Sequence, residues 1–489
     1  MFLLDACKEI FLTLPLGISL KLSIAFVIGI LIFNFTHLHS QRCITGGRHS
    51  IAICENGSVI SWGYNGYGQL GDGTSTQQQT VSTVVGVSNV SHISAGLFHS
   101  IFITNDGIAY GCGRNTRGQL GDSTLTDKYI PTRLRFLPKV VKSAGGGEHS
   151  LFLAEDSTVY GTGLNNSGQL GDGTNVNKIV PVKIPNLTRI IQVACGAEFS
   201  LYLKSDGTVW ASGHNSYGQL GDGTNKSKLS PVQIPSLQNI VHISAGEWHS
   251  LFVKSDGTVW ACGRNTLGQL GIEEPLGNIN STPKQVANVS NIIVAEAGGI
   301  HSMFLSREGK AYACGLNSGE NNYGQLGDGT TVDKRTPSEI QFPEINDKII
   351  HVEAAREHTL LVTSSGTIWG IGRNNYGQIG IGTYTTSNFT IPTLSTDVCN
   401  VGVATSVNKF DEQEFASVYP NPVSNELSIE LENNLTAELT ILSLVGETLY
   451  SIETNENRIT IDVSTLPKGI YFLSIRQNVL TQMKKIIIQ

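Results

Sequence analysis

A four-residue phrase, Gly-Gln-Leu-Gly, returns along most of this chain at a nearly constant interval. It starts at Gly68 and recurs at Gly118, Gly168, Gly218, Gly268 and Gly324, and a seventh copy at Gly377 carries Ile379 in place of leucine. A second phrase keeps step: His49-Ser50, His99-Ser100, His149-Ser150, Phe199-Ser200, His249-Ser250, His301-Ser302 and His358-Thr359. A period of about 50 residues, filled with short strands and glycine turns, predicts a repeat array. Seven units of that size predict a closed ring.

One unit shows how the period is built. Val241 to Gly246 reads as a short strand, and His249 to Lys254 as a second with Leu251 and Val253 alternating. Asp256-Gly257 suits a two-residue hairpin turn with positive φ at both positions, and Thr258 to Cys262 follows as a third strand. A Pro-Val-x-Ile run, as in Pro181 to Ile184, supplies a fourth strand at an edge, where proline is tolerated. Four strands per unit make a propeller blade. Gly 54 of 489 residues is about 11%, above the usual ~7%, and favours turn-dense β structure.

The run Gly-x-Asn-x-x-Gly-Gln-Leu-Gly-Asp-Gly-Thr, at 63–74, 163–174 and 213–224, resembles the regulator of chromosome condensation repeat. The upstream Ala-Gly-x-x-His-Ser strengthens the likeness, which covers about residues 42–395. It implies a seven-bladed β-propeller. Relatives of that fold include a nucleotide exchange factor for a small nuclear GTPase and a bacterial inhibitor of β-lactamase.

The C-terminal segment resembles a type IX secretion sorting domain. The residues that carry the likeness are Val418 to Pro422, the alternating Leu427 to Leu431, Leu466 to Tyr471, and Lys484 to Ile488. The resemblance implies a small immunoglobulin-like β-sandwich that routes cargo across an outer membrane, with Lys484 and Lys485 in the sorting signal. The expected fold class is therefore all-β, a seven-bladed propeller followed by a small sandwich. The expected domains are a signal peptide at 1–40, the propeller at 41–400, a linker at 401–414 and the sorting domain at 415–489.

Lys21, the apolar run Leu22 to Phe35 and the polar residues after it describe a secretory signal peptide. A membrane anchor starting at Ile10 is the alternative, but Pro15, Gly17 and Lys21 interrupt it. The mature protein is expected to lack a membrane span and to be secreted or displayed on the outer surface of a Gram-negative bacterium. Cys43 and Cys399 lie at the two ends of the repeat array, so a ring that closes brings them together as a disulfide clasp. Two unpaired thiols, or a Cys43–Cys54 bridge, are the alternatives.

Charge narrows the partners. The chain carries −7, and residues 411–489, with 11 acidic and 5 basic side chains, hold −6 of it. No basic stripe remains to drive binding to a phosphate backbone, so nucleic acid is not an expected partner. The His-Ser phrases do not read as a catalytic or metal constellation, because a ring spreads them apart and Phe199 fills one slot. Buried histidines satisfied by backbone groups are expected instead. Each Gly-Asp-Gly-Thr copy offers one carboxylate, too few for a calcium loop, and no cofactor is expected.

Function should sit where the repeats disagree. Two loop slots vary most: the residues before each His, and those before each Gly-Gln. The first slot supplies Arg48, Phe98, Glu148, Glu198, Trp248, Ile300 and Arg356, and the second supplies Tyr67, Arg117, Tyr217, Tyr323 and Tyr376. Aromatics and arginines ringed by polar residues are the composition of binding hot spots. Packing on neighbouring blades is the alternative role. The insertion at Ser318 to Asn321 is another candidate contact. The expected protein is a monomeric binder of an extracellular protein or glycan that also engages the type IX machinery. The rival reading is an extracellular polysaccharide lyase or hydrolase, with Glu148, Glu198 and Glu247 at the propeller mouth.

Overall fold

A computed structural model describes residues 43–45, 47–54, 57–277, 279–318, 323–342, 347–383, 389–396, 416–431, 436–442, 448–477 and 480–488. The expected signal peptide, the linker, most of the insertion at Ser318 to Asn321 and Cys399 lie outside those residues. The regular elements described are all strands, and among the described residues no helix is long and apolar enough to cross a membrane. The chain divides into two compact units that adjoin in sequence at Val403 and Ala404.

In the first unit, strands between Cys43 and Leu394 form seven four-stranded antiparallel sheets, taken strictly in chain order. Sheet one holds Cys43–Thr45, His49–Ile53, Val59–Gly63 and Gln78–Thr83. The first strand of each sheet lies beside the first strand of the next. Cys43–Thr45 lies beside both Val90–Ala95 of sheet two and Ile349–Ala354 of sheet seven, so the circle closes. First strands therefore line the centre of the propeller and fourth strands its rim.

Burial follows that placement. Second strands such as His99–Thr104 and His149–Ala154 are buried at every position, because sheets cover both of their faces. That explains their continuous apolar character. Rim strands such as Lys178–Lys183 stay partly exposed, and their proline is cost-free at an edge that needs no further donor. The third strand ends on a glycine that nothing else can replace. At Gly163, with φ of 101°, an added Cβ would sit 2.5 Å from the Glu148 carbonyl oxygen.

Neighbouring sheets are joined by a repeated polar link. Ser100 Oγ donates to the Gln69 carbonyl at 2.6 Å and lies 2.9 Å from His49 Nε2. The hydroxyl proton is committed to the carbonyl, so Nε2–H must be the donor and the imidazole is the neutral Nε2 tautomer. The sequence reading placed backbone partners on these histidines; the partner is instead a side-chain hydroxyl of the following sheet. The same link recurs at His99–Ser150, His149–Ser200, His249–Ser302 and His301–Thr359, at 2.9–3.0 Å. At the seam, Ser50 Oγ donates to the Gln378 carbonyl at 2.9 Å and lies 3.1 Å from His358 Nε2. Trp62 Nε1 donates to the same carbonyl at 2.9 Å, and Trp62 packs with Leu360, Val362 and Ile368.

The Gly-x-Asn…Gly-Asp-Gly-Thr motif is a second polar device. Asn165 Oδ1 accepts from Leu170 N at 2.9 Å, while its Nδ2 donates to Asp172 Oδ1 at 2.9 Å and to the Thr174 carbonyl at 3.0 Å. Asp172 also caps Thr174 N at 2.9 Å and pairs with Lys178 at 3.2 Å. Sheet five reads Gly271-Ile272-Glu273-Glu274 instead, and there Asn265 Nδ2 has no acceptor.

The second unit is a two-sheet sandwich. One sheet is formed by Ala416–Tyr419, Glu426–Leu431 and Arg458–Asp462. The other is formed by Thr448–Thr454, Ala437–Leu442, Gly469–Gln477 and Leu480–Ile488. Leu427, Ile429 and Ile461 from the first meet Leu439, Leu473 and Ile486 from the second in one core. Lys484 and Lys485 stand on the last strand, opposite Leu473 and Phe472.

Cys54 is disulfide-bonded, whereas Cys112, Cys195, Cys262 and Cys314 are free. Cys43 stands opposite Ala52 in sheet one. Non-reducing peptide mapping tests the expected clasp: a Cys43–Cys399 peptide establishes it, and a peptide joining Cys54 to either of them excludes it.

Burial holds His49, His149, His249 and His358 at about 3, and His99 and His301 at about 4. The unfolded chain takes up these protons near 6.5, so between 6.5 and about 4 it binds more protons than the fold. Stability is therefore full above about pH 7 and falls as pH drops, with a slope of roughly 1.4 kcal/mol per pH unit for each histidine. Denaturant midpoints measured at neutral and mildly acidic pH should show this decline, and a flat profile contradicts it. Phe199 shows what the slot tolerates, since Ser250 Oγ keeps its 2.7 Å bond to the Gln219 carbonyl without an imidazole. His249→Phe should accordingly cost less than about 1.5 kcal/mol, and His249→Ala about 2–4 kcal/mol because it opens a cavity.

Candidate functional site

Both variable slots lie at one end of the sheets. His149 pairs with Gly163, so the turn before the second strand and the loop after the third emerge side by side. A backbone bond fastens them in each repeat: Tyr64 N to the Arg48 carbonyl at 3.0 Å, Arg114 N to Phe98 at 2.9 Å, and Arg373 N to Glu357 at 3.0 Å. That bond brings a third slot to the face, the residue just after the third-strand glycine. It holds Tyr64, Arg114, Leu164, His214, Arg264, Leu316 and Arg373. The sequence reading passed over it because it sits inside the repeat-shared motif.

One cluster runs from sheet six through sheets seven and one to sheet two. The Tyr64 ring lies 5.1 Å from Tyr376, 6.0 Å from Phe98 and 6.2 Å from Tyr67, and Tyr67 lies 5.2 Å from Phe98. Edge-to-face contacts of this kind are favourable. Arginines cover the rings. Arg48 stands 5.3 Å above Tyr376 and donates to its hydroxyl at 3.2 Å, Arg114 stands 5.3 Å above Tyr67, and Arg373 lies 5.2 Å from Tyr323 and 5.5 Å from Tyr376. Burial and the neighbouring Tyr67 and Tyr376 push the Tyr64 phenol upward.

A second cluster spans sheets four and five. Trp248 lies 5.2 Å from His214 and 5.7 Å from Tyr217, and Arg264 stands 5.6 Å above Tyr217. Partial burial lowers His214, which keeps it neutral at neutral pH. Of the expected residues, Arg48, Phe98, Tyr67, Tyr323 and Tyr376 join the first cluster, and Trp248 and Tyr217 the second. Ile300 belongs to neither.

The acidic members of the face are engaged in pairs. Glu148 meets Arg114 at 2.8 Å and Arg117 at 3.4 Å, Glu198 accepts from Ser167 at 2.9 Å, and Glu247 meets Arg356 at 2.9 Å. Glu357 pairs with Arg373. Each of the three carboxylates named for the mouth, Glu148, Glu198 and Glu247, thus already has a polar partner.

A different set of acids faces the centre. His242 Nε2 lies 3.1 Å from Glu296 Oε1, Ser244 donates to Glu296 Oε2 at 2.8 Å, and His351 Nε2 lies 2.9 Å from Glu353 Oε1. All stand on first strands, where the sequence reading saw short strands without a facing direction. Burial raises the Glu353 carboxyl to about 7, and nearby Glu296 adds to the rise. Among the described residues no group of three His, Cys, Asp or Glu side chains could hold a metal ion.

Comparison with known proteins places this geometry. The sequence profile of the RCC1-like domain matches residues 31–319, profiles of the regulator of chromosome condensation repeat match 308–362 and 349–378, and that of the secretion system C-terminal sorting domain matches 417–489. The ultraviolet-B receptor UVR8 of Arabidopsis thaliana is 34% identical over 119 residues, 24% of this chain and 26% of that protein. The human regulator of chromosome condensation is 34% identical over 103 residues, 20% of this chain and 23% of that protein. These alignments span about a quarter of each relative's length. Among solved structures, human WBSCR16 gives a TM-score of 0.61 at 20% identity, covering 70% of this chain and 94% of that one. Prp20p of Saccharomyces cerevisiae gives 0.62 at 22% identity, covering 74% and 88%. Those likenesses establish the propeller fold.

Proposed function

Since the chain belongs to the RCC1-like domain family, we propose that its propeller is an extracellular binding module that holds a protein or glycan on the loop face. The observation that carries this reading is the pair of arginine-covered aromatic clusters, built from the slots in which the repeats differ. Shared positions make the fold; the divergent ones gather rings and guanidinium groups, the residues from which interface anchors are made. The sorting domain makes the chain a cargo of the type IX secretion machinery. Release into the medium or retention on the outer-membrane surface both fit that route. A monomer suffices, because the ring closes within one chain.

An extracellular enzyme is the rival. The two His–Glu pairs on the central strands favour it, since acid–base chemistry on a polysaccharide needs carboxylates and imidazoles placed for proton transfer. Product release from a polysaccharide panel, abolished by Glu296→Gln, would establish that reading in place of a binder.

Export and binding can be tested separately. Truncation after Glu414 should leave the propeller folded and stranded in the periplasm, and wild-type amounts in the medium contradict the sorting role. Tyr64→Ala and Trp248→Ala should each weaken ligand capture by about fivefold or more on a glycan array or surface pull-down. Capture untouched by both variants removes the loop face as the binding surface.

A further inference from the structure

Resting on that loop-face reading, we infer that the strip across sheets seven, one and two takes an acidic polysaccharide whose sugars carry carboxylates. The charge there departs from the rest of the chain. Residues 41–410 hold 26 basic and 27 acidic side chains, whereas the strip sets four arginines, at 48, 114, 117 and 373, against Glu148 and Glu357 alone. Glu148 is shared by Arg114 and Arg117 and Glu357 is held by Arg373, which leaves the strip a surplus of two positive charges and leaves Arg48 facing a phenol hydroxyl instead of a carboxylate. A guanidinium laid on a ring keeps its fork of donors in a fixed plane, suited to bidentate contact with a carboxylate.

The rings decide between a glycan and an acidic peptide. Along the strip, the rings of Tyr376, Tyr64 and Tyr67 run in contact, with the guanidinium groups of Arg373 and Arg48 on Tyr376 at one end and that of Arg114 on Tyr67 at the other. A uronic-acid polymer presents both matching groups, a flat C–H face on each sugar for the rings and carboxylates at its edges for the guanidinium groups. A poly-acidic peptide carries its carboxylates on flexible stems and has no flat face to lay on a ring. The second cluster repeats the composition around Trp248, where Arg264 donates to Thr266 and, among the described residues, likewise has no carboxylate partner. Two such contacts on one face favour a long chain over a single sugar, because the second contact forms at high effective concentration.

The test uses the full-length protein and immobilised polygalacturonate, with methyl-esterified pectin and poly-L-glutamate as comparators. Polygalacturonate should be retained and esterified pectin not, and added salt should weaken retention. Arg48→Gln, and independently Arg264→Gln, should each lower affinity about fivefold to tenfold while leaving the denaturation midpoint unchanged. Equal binding of esterified pectin or of poly-L-glutamate overturns the inference. Capture of a neutral glycan or a protein that depends on Tyr64, without any polyanion binding, also overturns it but leaves the loop-face reading standing. Polygalacturonate binding that survives both arginine changes together with Tyr64→Ala sinks the two together.

Discussion

One hydroxyl per sheet governs how this ring holds together. Each Ser or Thr after the histidine slot donates to the glutamine carbonyl of the preceding sheet, from Ser100 on Gln69 to Ser50 on Gln378. The bond is buried at every seam, so no water competes for it, and a buried donor left without its acceptor would be costly. It also fixes the imidazole tautomer, which fixes the orientation of the ring stacked beneath the loops. The phrase Gly-Gln-Leu-Gly and the phrase His-Ser are therefore two halves of one contact, separated by 31 residues between Gln69 and Ser100.

Much of the fold could be read from the chain because its repeats state the same local rules many times. Strand alternation, Asp-Gly turns and rim prolines gave the four-stranded unit, and a shared sequence phrase gave the number of sheets. The contacts between units were less legible. Nothing in His149-Ser150 says that the imidazole reaches forward to Ser200, because neighbour identity depends on how sheets stack. Asn165 read as a motif letter, yet its side chain ties Leu170, Asp172 and Thr174 into one loop.

The candidate site was half legible for the same reason. Variable slots were found by contrast with shared ones, which located Phe98, Trp248 and Tyr376. Tyr64, Arg114 and Arg373 escaped because they occupy the free letter of a motif otherwise devoted to folding. The central His–Glu pairs escaped because a six-residue strand such as Ile349–Ala354 does not reveal which of its faces meets the axis. In both cases the missing information was direction. Chemistry was visible in the residue types, but convergence needed the ring.

Phe199 has a consequence for how the ring meets acid. Five sheet-to-sheet seams within the ring and the closing one carry an imidazole that resists protonation, while the seam between sheets four and five carries a phenyl ring that has nothing to protonate. At that seam the buried histidine slot offers acid nothing to protonate. Sheets four and five are joined there through Phe199, Ile243, Phe252 and Cys262 in one apolar cluster. One link of the ring thus holds by apolar packing where its counterparts use an imidazole, and it lies beneath the Trp248 cluster of the loop face.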